Sequence, residues 1–218
     1  MEESLVSDQP TLSMEQALWA RSFARVAGID EAGRGAWAGP VVAAAVILPP
    51  GQNDIVDLLT HVRDSKQLTP RAREACYDVI AAHALAYAVG SATCGEIDRR
   101  GILPATRLAM RRAVEGLPLS PDYLLIDAVR LGDLPIPQDS RTKADRTILS
   151  VAAASIVAKV SRDRWMASLD EQNGGYGFAQ HKGYGTRAHQ QALVCLGPTC
   201  HHRASFAPLR ALSLSRRD

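Results

Sequence analysis

Cysteine is scarce in this 218-residue chain, which has four: Cys76, Cys94, Cys195 and Cys200. They are too few and too scattered to staple a secreted fold, and that usage implies a reducing compartment. Cys195, Cys200, His201 and His202 lie close together in sequence. No second ligand pair at finger-like spacing accompanies them, so buried thiols acting as small hydrophobes outweigh a zinc site. Long apolar runs are also missing. The longest, residues 41–48, falls far short of the roughly 20 residues that span a bilayer, and the opening Met1-Glu-Glu-Ser is acidic where a secretory signal is basic. A soluble, cytoplasmic, membrane-free protein is expected. Net charge is equally modest: 25 basic against 23 acidic residues give +2, which does not by itself point to a polyanionic partner. With 16 Gly, 12 Pro and 46% hydrophobic residues, the composition excludes disordered and collagen-like chains. At roughly 150 residues per domain the length allows one large domain or two small ones, and one is expected.

The distribution of charge says more than its sum. Residues 99–112 hold five arginines and no acid, and residues 172–217 hold six basic side chains and no carboxylate. Such stretches can neutralise phosphates or form solvated helix faces. Residues 1–20 read as a flexible tail or a short helix without a motif, and residues 21–218 as one catalytic domain with no internal repeat. The pattern then runs strand, glycine-rich turn, strand, with Pro49-Pro50 ending the second strand. Thr69-Pro70 caps a helix reaching about residue 84, and residues 86–93 form a third strand. Residues 96–117 are helical with a break near Gly101, and residues 123–127 form a short apolar strand. Residues 129–144 are irregular, with one short strand. Residues 148–169 carry the longest helical pattern, residues 174–185 form a loop, Thr186 caps a further helix, and a last one includes residues 208–212. This order predicts an α/β fold with a mixed sheet flanked by helices and a small helical C-terminal extension.

Two apolar strands end in acids. Asp30 and Glu31 stand where the first strand meets Ala32-Gly33-Arg34-Gly35, and Asp127 ends the apolar run Leu124-Leu125-Ile126. Adjacent strand residues face opposite ways, so Asp30 and Glu31 converge only if the chain leaves the ladder there. Each acid alone could cap a helix or close a turn. Together, crowded carboxylates free of cysteine favour Mg2+ or Mn2+ and phosphate-ester chemistry.

Gly28-Ile-Asp-Glu-Ala-Gly-Arg-Gly35, followed by Ala38-Gly-Pro-Val-Val-Ala-Ala-Ala-Val46, closely resembles the opening motif of the type 2 ribonuclease H family, most of all bacterial ribonuclease HII. Further blocks agree in order: Asp64-Ser65-Lys66, Ile102-Leu-Pro-Ala-Thr106, Ile126-Asp127, Ala152-Ala-Ala-Ser-Ile-Val-Ala-Lys159 and His181-Lys-Gly-Tyr-Gly-Thr186. The likeness spans about residues 25–208.

The resemblance implies a ribonuclease H-like fold and hydrolysis of the RNA strand of RNA/DNA hybrids. It also implies cleavage 5′ of single ribonucleotides in duplex DNA, leaving 5′-phosphate and 3′-hydroxyl ends. Four acids around two divalent ions, Mg2+ or Mn2+, would be Asp30, Glu31, Asp127 and Asp145. Paired ions about 3.5–4 Å apart activate water and stabilise the leaving oxygen. Gly33, Arg34 and Gly35 match the segment that reads the ribose 2′-hydroxyl, and Tyr184 matches the tyrosine that packs on the following sugar. Ser65 and Lys66 would contact backbone phosphates. Ser155, Lys159 and Arg162 share a helical face, with Lys159 spaced to pair with Asp163. The chain departs from the family at Ala144, within Lys143-Ala144-Asp145, and at Ala128, both positions where relatives carry Gly. A monomer is expected. A binding module without catalysis and a metal-dependent DNA nuclease are the rival readings.

Overall fold

The computed structural model describes residues 9–52, 54–63 and 65–214, with backbone alone for Lys66 and residues 212–214. In chain order the elements are α1 (Ser13–Trp19), β1 (Val26–Ala32), β2 (Val41–Ile47), α2 (Ile55–Leu58), a 3-10 turn (Ser65–Gln67), α3 (Pro70–His83) and β3 (Ala86–Ala92). There follow α4 (Cys94–Arg100), α5 (Ile102–Glu115), β4 (Tyr123–Asp127), β5 (Gln138–Arg141), a 3-10 turn (Ala144–Arg146), α6 (Leu149–Gln172), α7 (Phe178–His181), α8 (Arg187–Leu196) and α9 (Ala207–Leu214).

The five strands lie in the order β3-β2-β1-β4-β5. β1, β2 and β3 form an antiparallel meander, while β4 returns parallel to β1 and carries β5 parallel at the edge. Both faces are covered. Ala44 and Val46 of β2 join Ala152, Ala153 and Ile156 of α6, whereas Ala43 and Ala45 join Ala105, Ala109 and Met110 of α5. A strand buried on two faces needs an unbroken apolar run, which is what β2 supplies. Gly28 lets α6 sit directly on β1, because a Cβ there would fall 2.2 Å from the Ser150 carbonyl carbon. α5 runs antiparallel to β3: Arg112 Nη1 donates to Ser91 O at 2.7 Å, and Gly116 lies against Ala88.

The helix starts follow local chemistry. Thr69 Oγ1 accepts from Ala72 N at 3.2 Å, with Pro70 opening α3. Thr93 and Glu96 form a capping box on α4. α6 has no cap of its own. Glu15, fully buried on α1, accepts from Ser150 N at 2.8 Å, and burial raises its carboxyl above the ordinary range. The segment read as carrying no motif therefore caps the longest helix, while residues 1–8 of the expected tail lie outside the described residues. The other departure is α7, inside the expected loop at residues 174–185. Asp170 Oδ1 accepts from Phe178 N at 2.7 Å, so a cap from α6 stabilises a helix too short to show periodicity.

Candidate active site

The sheet brings the acids to one end. β1 pairs with β4 only as far as Ile29↔Ile126, but with β2 as far as Ala32↔Val42. The expected departure at Asp30 and Glu31 is therefore one-sided: the chain keeps its β2 ladder and opens toward β4, whose last residue is Asp127. Asp30 is 6% exposed and accepts from Glu31 N at 2.7 Å. Its carboxyl titrates well above the ordinary range because it is buried and because Glu31 and Asp127 repel a further negative charge; a hydrogen bond from Ser155 works against this. Asp127 Oδ1 accepts from Ala144 N at 2.8 Å, which pins the turn carrying buried Asp145 beside β4.

Oxygen-only donors, with Asp30 and Asp145 buried and Asp30 repelled by Glu31 and Asp127, fit a hard divalent cation, whose charge would offset that repulsion. The carboxylates are not drawn fully together: among the described residues, no group of three or more Asp, Glu, His or Cys stands at ion-holding spacing.

Next to the acids lies a cleft of about 350 Å³ whose wall includes Glu31, Gly33, Arg34, Gly35, Ser65 and Tyr184. Arg34 Nη1 bonds Glu31 Oε1 at 3.0 Å. Ser65 Oγ lies 3.1 Å from Ser155 Oγ, linking the Ser65–Gln67 turn to α6 and, through Ser155, to Asp30. Arg73 holds that turn by donating to Ser65 O and Leu68 O at 2.8 and 2.6 Å. Lys159 also lines the cleft and bonds Asp163 at 2.6 Å, the partner its spacing predicts. The Lys66 side chain and all of Asp64 lie outside the described residues.

The two glycines beside Arg34 differ. Gly33 has φ +92°, and a Cβ there would fall 1.9 Å from Arg162 Nε, so the fold requires glycine at that position. At Gly35 nothing lies within 4 Å of an added Cβ, which leaves backbone open to the cleft.

Behind this loop sit two fully buried arginines. Arg162 donates to Pro40 O, Lys182 O and Ala38 O at 2.9, 2.9 and 3.1 Å, and its guanidinium lies 5.5 Å from the Tyr184 ring centre. Arg203 donates to Gly33 O, Arg34 O and Gly39 O at 2.7, 2.8 and 3.0 Å. Burial and then Arg162 push Arg203 down to about 10, so it remains cationic at neutral pH, and burial lowers Arg162 likewise. The sequence left Arg162 on a helix face and Arg203 among the six basic side chains of residues 172–217. The visible signal was only the spacing from Ser155 through Lys159.

Three histidines brace the Tyr184 loop. His202 Nδ1 accepts from Thr199 N at 2.9 Å, so neutral His202 donates from Nε2 to His189 Nε2 at 3.2 Å, and His189 Nδ1 then donates to Tyr184 O at 3.0 Å. His181 stacks on His189 at 4.5 Å. Burial first, then His189, pushes His202 down to about 4. An unfolded histidine titrates near 6.5, so the unfolded chain binds the extra proton between those values. The contribution is intact above pH ~6.5 and is lost as pH falls toward ~4, by up to about 3 kcal/mol. Urea unfolding of wild type and His202→Asn should therefore show a wild-type advantage at pH 7 that shrinks by roughly this amount at pH 4; a pH-independent gap refutes the assignment.

Ala144 sits in a 3-10 turn and strains nothing, but Ala128 has φ +56°, the left-handed region. Ala128→Gly should add about 1 kcal/mol of stability, read by urea unfolding, and an unchanged or lower midpoint counts against it.

Opposed acids at the end of a mixed sheet, beside a glycine-arginine loop and a cationic wall, belong to the class of phosphodiester hydrolases. The family model for ribonuclease HII matches residues 27–209. A ribonuclease HII of Roseiflexus castenholzii is 58% identical over 200 residues, covering 92% of this chain and 89% of that protein. One from Thermus thermophilus is 52% identical over 196 residues, covering 90% and 92%. The crystal structure of ribonuclease H2 from Pyrococcus horikoshii superposes with a TM-score of 0.73 at 27% identity, covering 89% of this chain and 99% of that one. The chain belongs to the ribonuclease HII family; it is a hydrolase with ribonuclease H endonuclease activity on a ribonuclease H-like fold.

Proposed function

We propose that this ribonuclease H hydrolyses the RNA strand of RNA/DNA hybrids and cuts 5′ of single ribonucleotides in duplex DNA, leaving 5′-phosphate and 3′-hydroxyl ends. Asp30, Glu31, Asp127 and Asp145 would hold two divalent ions, Mg2+ or Mn2+. When bound, the ions supply positive charge that acidifies the attacking water and offsets charge on the leaving 3′ oxygen. The observation that carries the reading is the cleft joining Glu31 to Gly33, Arg34, Gly35, Ser65 and Tyr184 beside buried Asp30.

Within that cleft, open backbone at Gly35 and the Arg34 guanidinium suit close contact with a ribose 2′-hydroxyl and its phosphate. Tyr184, 38% exposed and backed by Arg162, offers a ring for the next sugar, where a deoxyribose packs without an extra hydroxyl. Ser65, in the cleft wall, and Lys66, next to it in sequence, contact backbone phosphates of the DNA strand. Residues 21–218 act as one catalytic domain, as a monomer in the reducing cytoplasm, in keeping with four unpaired cysteines. Among the described residues no helix is long and apolar enough to cross a membrane.

The test is hydrolysis of a labelled hybrid by the purified protein: cutting with Mg2+ or Mn2+, none after chelation, and none of an all-DNA duplex. Metal-independent or DNA-only cutting overturns the proposal. Tyr184→Ala should lose at least about tenfold, ~1.4 kcal/mol, of the preference for an RNA-to-DNA junction over continuous RNA; unchanged junction selectivity removes Tyr184 from that role.

A further inference from the structure

A second cationic cleft, of about 580 Å³, is lined by Arg100, Arg107, Arg111 and Arg130, with Asp133 the acid in its wall. Arg111 pairs with Asp133. Arg107 Nε donates to Arg130 O at 3.3 Å, tying the segment after β4 to α5. Among the described residues no carboxylate pairs with Arg100, Arg107 or Arg130, so three guanidiniums face the cleft uncompensated.

The topology sets where this cleft opens. Because α5 runs antiparallel to β3, its first turns lie beyond the C-terminal end of β3, the same sheet end that carries Asp30, Glu31 and Asp127. Arg130 follows Asp127 by three residues on that edge. Asp30 shares the α6 face with Gly28, whereas Arg107 and Arg111 ride on α5, so the cleft lies on the other side of the sheet from Asp30. Arg107 and Arg111 are one turn apart, ~6 Å along the axis, close to two phosphate steps at ~3.4 Å axial spacing per strand. A duplex laid across the carboxylate end would run over these guanidiniums.

Resting on the hydrolase reading above, we propose that this cleft binds backbone phosphates of the same nucleic-acid duplex, away from the bond that is cut. It adds affinity that is independent of sequence and sensitive to salt. The shared chemistry is the phosphate oxyanion, and the source assigned here is the duplex rather than a free anion.

The test compares wild type with Arg100→Gln/Arg130→Gln and Arg100→Lys/Arg130→Lys. Binding to a ribonucleotide-bearing duplex is measured in EDTA across a salt series, with melting curves to verify the fold. Each lost phosphate contact flattens the plot of log affinity against log salt by about 0.9, so the glutamine pair should lose about 1.8 of slope and the lysine pair should keep it. An unchanged slope and affinity in the glutamine pair overturns the inference. Arginine-dependent binding of inorganic phosphate or polyglutamate with an unmoved duplex slope also overturns it. Metal-dependent cutting by wild type judges the hydrolase reading separately. If wild type cuts while the slope is unmoved, only the cleft assignment falls; if the slope depends on the arginines but nothing is cut, only the hydrolase reading falls.

Discussion

Asp30→Asn is expected to slow hybrid cleavage by about 10³-fold or more, ~4 kcal/mol, while raising the melting temperature. The two effects share a cause. Asp30 is buried against Glu31 and Asp127, and its carboxyl titrates well above the ordinary range. Between the unfolded value near 3.8 and that raised value the folded state binds the extra proton, so stability declines as pH rises through the window. Ionising Asp30 in that setting opposes folding, and the amide removes that cost while keeping an oxygen to accept from Glu31 N. A carboxylate that merely closed a turn would behave oppositely, losing stability on amidation with little effect on rate. Asp145→Asn should likewise abolish most turnover while leaving hybrid binding nearly intact. The check is paired melting and single-turnover cleavage. A less stable Asp30→Asn protein, or wild-type rates in either variant, contradicts the assignment.

Arg162→Met should destabilise the protein by about 4 kcal/mol. The change removes a fully buried guanidinium and leaves the carbonyls of Ala38, Pro40 and Lys182 unsatisfied, at ~1–3 kcal/mol each before relaxation. For a chain of this size that corresponds to a melting temperature lower by about 10 °C. Arg162→Lys should recover little, because one ammonium cannot span three carbonyls in a fixed fork. The same loss frees the packing that shapes Gly33 and backs Tyr184, so junction selectivity should fall with stability. A melting temperature within about 2 °C of wild type contradicts the role given to Arg162.

These two cases mark what could be read from the residues alone. Asp30, Glu31 and Asp127 were legible because two apolar strands both ending in acids weaken the ordinary reading of a cap or turn, and α3 because Thr69-Pro70 is a local cap. Gly33 was legible as a turn, but its reason, the guanidinium of Arg162 pressed against it, was not. Arg162, Arg203 and Glu15 bond backbone groups more than a hundred residues away in several cases, and such partners leave no spacing pattern. α7 escaped notice for a similar reason, since its cap comes from Asp170 on another helix. The arginines of residues 99–112 were visible as a charge run, whereas their meeting with Arg130 required the loop after β4 to fold back on α5.

The central claim is that acids at the sheet end act on a strand chosen by its ribose. The most direct measurement maps the cut in duplex DNA carrying one ribonucleotide, incubated with the wild-type protein and Mg2+. The account predicts a single break immediately 5′ of that ribonucleotide, with a 3′-hydroxyl on one fragment and a 5′-phosphate on the other, abolished by EDTA. A break on the 3′ side, a 2′,3′-cyclic phosphate end, or cutting that survives chelation contradicts it.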